Sequence, residues 1–246
     1  NYLLNKLVKI IYFFSDKILI SNKGFEKSIR NKNIKKNKIQ FMPNWAEDVF
    51  DNRNKIDLKK YKSLIPSNFT VMFAGNLGEA QDLPNILKAI DLTDNKINWV
   101  FLGSGRKFNW FKKKIEHKKL NHRVKLLGSY PLSEMPDFFC HADLCLVSLT
   151  DDYIFSLTMP GKVQSYMASS KPIVSMLNGE GNKIIKNANC GLCANSSDFK
   201  KLADNINFAS NLDKVKLLEF GKNSRKYYES NFKKDKIIDE FCELLN

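Results

Sequence analysis

Asn68-Phe-Thr-Val-Met-Phe-Ala-Gly75 and, further along, Ile97-Asn-Trp-Val-Phe-Leu-Gly103 are the stretches on which the fold turns. Each is a short apolar run, rich in β-branched and aromatic residues, that stops at glycine. That is the form of a strand buried on both faces. Between them Leu83, Ile86, Leu87 and Ile90 recur at helical spacing, which predicts a helix over 83–92. The alternation continues outward from there. A helix is predicted over 107–120, a strand over 123–127, a helix over 132–141 with Ser133 as its N-cap, and a strand over 144–149. A helix over 160–168 with Pro160 in its first turn comes next, then strands over 172–177 and 191–194. Strands joined through helices run parallel and need cover on both faces. The prediction is an α/β fold, a doubly wound, Rossmann-like parallel sheet spanning residues 53–212.

The flanks differ from this core. Residues 1–42 read as helix, strand (17–21), helix and strand (39–42), too little for a complete sheet. Pro43-Asn44-Trp45 opens a linker over 43–52, and residues 213–246 read as two amphipathic helices broken near Asn231. The first residue is Asn and not Met, so the sequence is expected to belong to a longer chain.

Composition excludes several classes. Forty-three per cent hydrophobic and 12% aromatic residues exclude a disordered linker, and no apolar run is long enough for a spanning helix. The formal net charge is +14, yet only five of the 40 basic residues are Arg. Arg, not Lys, is the usual reader of base edges and phosphate forks, and no aromatic–basic platform occurs, so no nucleic-acid partner is expected. Ten basic residues fall within 1–40, beside only Asp16 and Glu26, and a basic end next to an apolar helix suits an anionic membrane surface. The five cysteines point to a reducing compartment. Cys190-Gly-Leu-Cys193 sits inside a strand-like run with no His nearby, and so predicts neither a zinc site nor a redox pair.

In a parallel sheet, ligands bind at the carboxyl ends of strands, where loops lead into helix N-termini. Three such loops are small or glycine-rich: Gly75-Asn76-Leu77-Gly78, Gly103-Ser104-Gly105-Arg106, and Thr158-Met159-Pro160-Gly161-Lys162. Glycine admits a phosphate close to the backbone, and a helix N-terminus offers free N–H groups and a positive dipole end. Lys162 and Arg106 could add full charges. Neither a three-glycine dinucleotide fingerprint nor a P-loop is present.

In order and spacing, Pro43-Asn-Trp45, Phe73-Ala-Gly-Asn-Leu-Gly78, Phe101-Leu-Gly-Ser-Gly105, Val124-Lys-Leu-Leu-Gly128, Pro160-Gly-Lys-Val-Gln-Ser-Tyr-Met-Ala-Ser-Ser-Lys-Pro-Ile173, Asn178-Gly-Glu-Gly181 and Asn189-Cys-Gly191 resemble the donor-binding half of GT-B glycosyltransferases. The resemblance is to retaining family 4, and within it to aminosugar transferases of O-antigen and capsule assembly, similar to N-acetylfucosaminyl transferases. It implies a nucleotide-sugar domain over 53–212, the end of an acceptor domain over 1–42, and terminal helices over 213–246 that cross back to that domain. It also implies that the family's catalytic His lies in the acceptor domain outside this sequence. The implied donor contacts are Gly75, Asn76, Leu77, Gly78, Gly103, Gly105, Arg106, Ser129, Thr158, Met159, Pro160, Gly161, Lys162, Ser165 and Glu180. The implied substrate is a nucleoside-diphosphate sugar, UDP-linked, with no metal and no further cofactor. The acceptor would be lipid-linked or a saccharide, in the cytoplasm and peripheral to the inner membrane face.

Three departures stand out. The family's ribose-binding Glu is replaced by Ser165, and its partner eight residues earlier is Leu157. The Lys that commonly follows the first glycine loop is absent, with Gln81 and Asp82 in its place, which shifts weight to Arg106 and Lys162. The alternative from another class is a non-catalytic scaffold of the same fold. Glu180 reads equally as a donor contact or as the N-terminal charge of the helix over 182–187, and His117, His122 and His141 are expected to take no part in catalysis.

Overall fold

The computed structural model describes residues 2–51 and 56–245. At the amino end α1 (Tyr2–Phe14) leads into β1 (Ile18–Ile20), α2 (Phe25–Arg30) and β2 (Ile39–Phe41). The two strands pair in parallel as a sheet of their own, over a small core of Ile18, Ile20 and Ile29. The predicted boundary between linker and domain, at 52/53, lies outside the described residues.

The second sheet belongs to a longer alternation: β3 (Thr70–Ala74), α3 (Leu83–Leu92), β4 (Asn98–Leu102), α4 (Phe108–His117), β5 (Val124–Gly128), α5 (Met135–Phe139) and β6 (Leu144–Ser148). It continues through α6 (Tyr153–Ser156), α7 (Gly161–Ala168), β7 (Ile173–Met176), α8 (Glu180–Asn187), β8 (Gly191–Ala194) and α9 (Phe199–Ser210). Two helices close the chain, α10 (Lys214–Asn231) and α11 (Lys234–Leu245). The strand order is β5-β4-β3-β6-β7-β8, and every described pairing is parallel. Going from β3, the chain winds outward one way to β5, then returns to the other side at β6. The loops after β3 and β6 therefore part there and leave a crevice at the carboxyl edge.

The strands alternate as a doubly covered sheet requires. Val71, Phe73, Trp99, Phe101, Leu144 and Leu146 face α3, α4 and α9, in a core with Ile86, Ile90, Phe111 and Ile206. Met72, Ala74, Val100, Leu102, Cys145 and Val147 face the other way, onto Phe138, Val163, Tyr166, Met167 and Tyr228. The predicted doubly wound α/β fold is the observed one.

Local details correct the sequence reading. Pro136 can stand only in the first turn of a helix, so 132–141 splits into a 3-10 turn at Leu132–Glu134 and then α5, and Ser133 caps nothing. Pro160 is the extended residue before α7 and not part of its first turn. Helix α9 was not anticipated, although Leu202, Ala203, Ile206 and Ala209 sit at helical spacing and are buried. Asp198 caps it, accepting from Lys201 N at 3.0 Å.

Candidate functional site

The glycines after β3 and β4 hold two loops against each other. Gly75 (φ +134°) donates from its N–H to Leu102 O at 2.9 Å, Leu77 N–H to Ser104 O at 2.7 Å, and Lys107 N–H to Leu77 O at 2.9 Å. A Cβ on Gly103 would stand 1.9 Å from Gly75 O, and one on Gly105 would stand 2.4 Å from Asn76 Oδ1. Gly103 and Gly105 are therefore glycine because the loops touch, and this reason needs no ligand. Leu77 is also corrected: its side chain is fully buried and both its main-chain groups are bonded, so it has nothing to offer a donor. What stays open is a groove lined by Gly75, Asn76, Ser104, Ser129, Tyr130 and Leu132.

Helix α7 meets this groove end-on. Tyr166, fully buried on its inner face, accepts from Ala74 N–H at 2.9 Å and so ties α7 to the last residue of β3. One turn earlier, Gln164 Nε2 donates to Asn44 O of the linker at 2.7 Å. Between these anchors Lys162 turns its stem inward. Its Nζ lies 3.6 Å from the centre of the Phe73 ring and donates to Gln81 Oε1 at 3.0 Å. A Cβ on Gly75 would be 3.3 Å from the same nitrogen. Lys162 makes no ion pair with any carboxylate among the described residues, and burial alone pulls its ammonium down to about 7. Gln81 stands where the sequence lacks the expected lysine, and the cation arrives there from α7 instead.

The remaining predicted residues fall around the start of α7 on different sides. Ser165 is half-buried and lines a second groove with Gly161, Gln164, Asn44, Trp45 and Glu47; Leu132 borders both grooves. Arg106 is exposed on the loop after β4, and Gly78 is buried beneath Asn76. Thr158 donates its hydroxyl to Phe155 O at 3.0 Å, and Met159 N–H is taken by Asn22 Oδ1 at 2.6 Å. Pro160 sets the extended entry to α7. Glu180 opens α8 and faces a separate cavity of about 110 Å³ lined with Asn22, Phe41, Met159 and Tyr227. The structure thus brings Gly75, Asn76, Ser129, Gly161, Lys162 and Ser165 to one continuous edge and sets Glu180 apart from it.

Elsewhere, burial pushes the Cys145 and Cys190 thiols up to about 12, far from a reactive thiolate. His122 and His141 ring nitrogens sit against Lys119 O and Lys60 O. No group of three His, Cys, Asp or Glu that could hold a metal occurs among the described residues. Gln81, Gln164 and Tyr166 were not singled out from the sequence as site residues, because their places depend on contacts between elements far apart in the chain.

Residues 68–211 match the family described as Glycosyl transferases group 1. The chain belongs to this family. Over 249 aligned residues it is 27% identical to the "Probable glycosyltransferase WbjE" of Pseudomonas aeruginosa, covering 98% of this chain and 60% of that protein. Among solved structures, Anabaena Alr3699/HepE in complex with UDP and glucose superposes with a TM-score of 0.83 at 15% identity, covering 98% of this chain and 66% of that one. An S. aureus TarM variant in complex with fondaparinux, alpha-GlcNAc-glycerol and UDP does so with a TM-score of 0.74 at 17% identity, covering 98% and 46%. The fold is that of GT-B glycosyltransferase structures, and the chain spans about half to two thirds of the length of these relatives.

Proposed function

We propose that this group 1 glycosyltransferase chain is the donor-binding part of a retaining, family 4 enzyme. It would bind a nucleoside-diphosphate sugar, UDP-linked, and serve transfer of an N-acetylated amino hexose to a lipid-linked or saccharide acceptor of a surface polysaccharide. The observation that carries the reading is Lys162, a cation without a carboxylate partner among the described residues, held at the start of α7 beside Gly75. A diphosphate there would meet the free N–H groups of the helix start, its dipole and one full charge. As the sugar–phosphate bond breaks, charge gathers on the departing diphosphate, and these fixed donors stabilise it. The reading calls for no metal ion and no further cofactor. The UDP bound by HepE and TarM and the description of WbjE support a nucleotide-sugar donor, and the order of motifs in the sequence supports the sugar class.

Ser129 and Tyr130, at the far end of the first groove, would lie near the base, and Ser165 near the ribose. The acceptor side would be completed by the part of the relatives that this chain does not span. The basic amino end and the exposed apolar residues of α1 support a peripheral place on an anionic membrane at the cytoplasmic face.

Calorimetric titration with UDP tests the reading. The expected result is saturable binding that weakens at least ~10-fold in Lys162→Met, the loss of one charge-assisted contact. The scaffold reading draws on Ser165 and on Leu157, whose backbone serves as a packing surface: a Cβ on Gly24 would come within 2.5 Å of Leu157 O. Absence of heat and of any thermal shift at millimolar UDP would favour that reading instead.

A further inference from the structure

Neutral groups enclose the Lys162 amine. On β3 the Phe73 ring lies 3.6 Å below it, and from the turn that follows, Gln81 Oε1 accepts its hydrogen bond at 3.0 Å. Every titratable group on the neighbouring elements is engaged elsewhere or uncharged. The Tyr166 phenol on α7 is bound to Ala74 N–H and kept neutral by burial, and the Cys145 thiol on β6 is pushed up to about 12. Asp82 accepts from Asn85 Nδ2 at 3.0 and 2.9 Å and from Ser197 Oγ at 3.3 Å. Glu79 is exposed and pairs with Lys107 at 2.9 Å. Attraction to the Phe73 ring face favours the ammonium, yet burial outweighs it and lowers this amine to about 7.

Gln81 is itself firmly placed. Its carbonyl accepts from Ser148 Oγ at 2.8 Å, Ala80 O accepts from Thr150 N–H at 2.9 Å, and Asp82 turns the chain away in the left-handed region (φ +52°). An amide oxygen accepts equally from an amine or an ammonium, whereas a carboxylate in its place would demand the ammonium.

We propose that Gln81 is a positioning residue that holds Lys162 as a neutral amine, and that a docking nucleoside diphosphate draws a proton from solvent onto its Nζ, so that donor binding is coupled to proton uptake. This rests on the donor reading above. The proton comes from water or buffer and lands on the amine lone pair, and no other bond forms or breaks. Two negative charges brought within a few ångströms in an enclosed site reverse the preference that burial set. Relaxing Lys162 onto the diphosphate would also free Gln81, so the resting contact is exchanged and not simply lost.

Calorimetric titration with UDP in Tris and in HEPES reads the exchanged protons from the difference in heats. Near pH ~8 an amine that ionises near 7 is about nine-tenths neutral, so uptake of roughly 0.9 proton per UDP is expected. Lys162→Arg, which is always charged, should bind UDP with no uptake. Gln81→Glu should abolish uptake by fixing the ammonium beforehand, and should bind UDP at least ~10-fold more weakly because the added carboxylate competes for Lys162. Gln81→Met, neutral but unable to accept, should keep the uptake and lose affinity. Uptake below ~0.2 proton in the unsubstituted chain, or equal uptake in Lys162→Arg, would overturn the coupling. Undiminished affinity in Gln81→Met would overturn the positioning role. Absence of UDP binding in every buffer would instead overturn the donor reading on which both depend.

Discussion

Lys162 is the residue at which sequence and structure say the most different things. By its place in a helix's first turn it reads as a solvated cation with nothing to favour it, or as a phosphate ligand. The structure folds it inward onto Phe73 and Gln81. Its amine is lowered from 10.5 to about 7, so between those two values the unfolded chain holds a proton that the folded chain lacks. Stability attributable to this group therefore rises with pH across that window, and the cost is fully present at and below the lower value. Lys162→Met should raise the melting temperature near neutral pH, by about 1–3 kcal/mol after allowing for its partly exposed stem, and the gain should vanish by about pH 10. A gain that stayed constant with pH would contradict the account. Gly103 supplies the converse case. Its φ of +127° and the 1.9 Å approach of a Cβ to Gly75 O make Gly103→Ala destabilising by at least ~3 kcal/mol, with loss of UDP binding as the first loop is displaced. A stable Gly103→Ala that binds UDP normally would show that the loops are not interlocked. The sequence displays both glycines, but it does not tell a phosphate loop from two loops in contact, because only the fold brings Gly103 to Gly75.

At the scale of elements, α7 is positioned from three sides: Tyr166 to the end of β3, Gln164 to the linker, and Arg225 from α10. Arg225 donates to Ala168 O at 2.8 Å, pairs with Asp51 at 3.1 Å and Glu229 at 2.6 Å, and lies over the Tyr228 ring. It thus binds the end of α7, the linker and α10 together. Arg225→Ala should cost about 2–3 kcal/mol in chemical denaturation, since it strands a helix-end carbonyl and removes a shared cation. A loss below ~0.5 kcal/mol would place Arg225 among ordinary surface pairs. Strands were the most legible elements, since β3, β4, β6 and β7 are apolar along their whole length and end at or near small residues. The short helices were less so. Pro136 divides one predicted helix, and the weakly amphipathic run before Asn211 shows its buried side only once β7 and β8 give it something to cover. Contacts such as Arg225 with Asp51 leave no local pattern to read.

For the whole molecule, the sheet order was implied by the alternation of elements, and the two odd flanks were recognisable from what they lacked. Their roles become visible only in space: Asn22 from the amino-terminal unit reaches Met159, and the closing helix α10 packs on α7. Helix α1 keeps its apolar residues exposed, Leu3 at 82% and Phe14 at 78%, and ten basic residues lie within the first 40. None of the described helices is long and apolar enough to cross a membrane. Sedimentation with anionic vesicles should therefore be strong at low salt and largely lost near ~0.5 M, where the Debye length falls to about 4 Å. Equal binding to neutral vesicles, unchanged by salt, would remove the electrostatic part of this proposal. The central claim, that one edge around the start of α7 receives the nucleotide, is tested most directly by hydrogen–deuterium exchange with and without UDP. The account predicts added protection at residues 75–81, 128–132 and 160–166, with little change at 180–187. Protection confined to the Glu180 cavity, or none anywhere at saturating UDP, would contradict it.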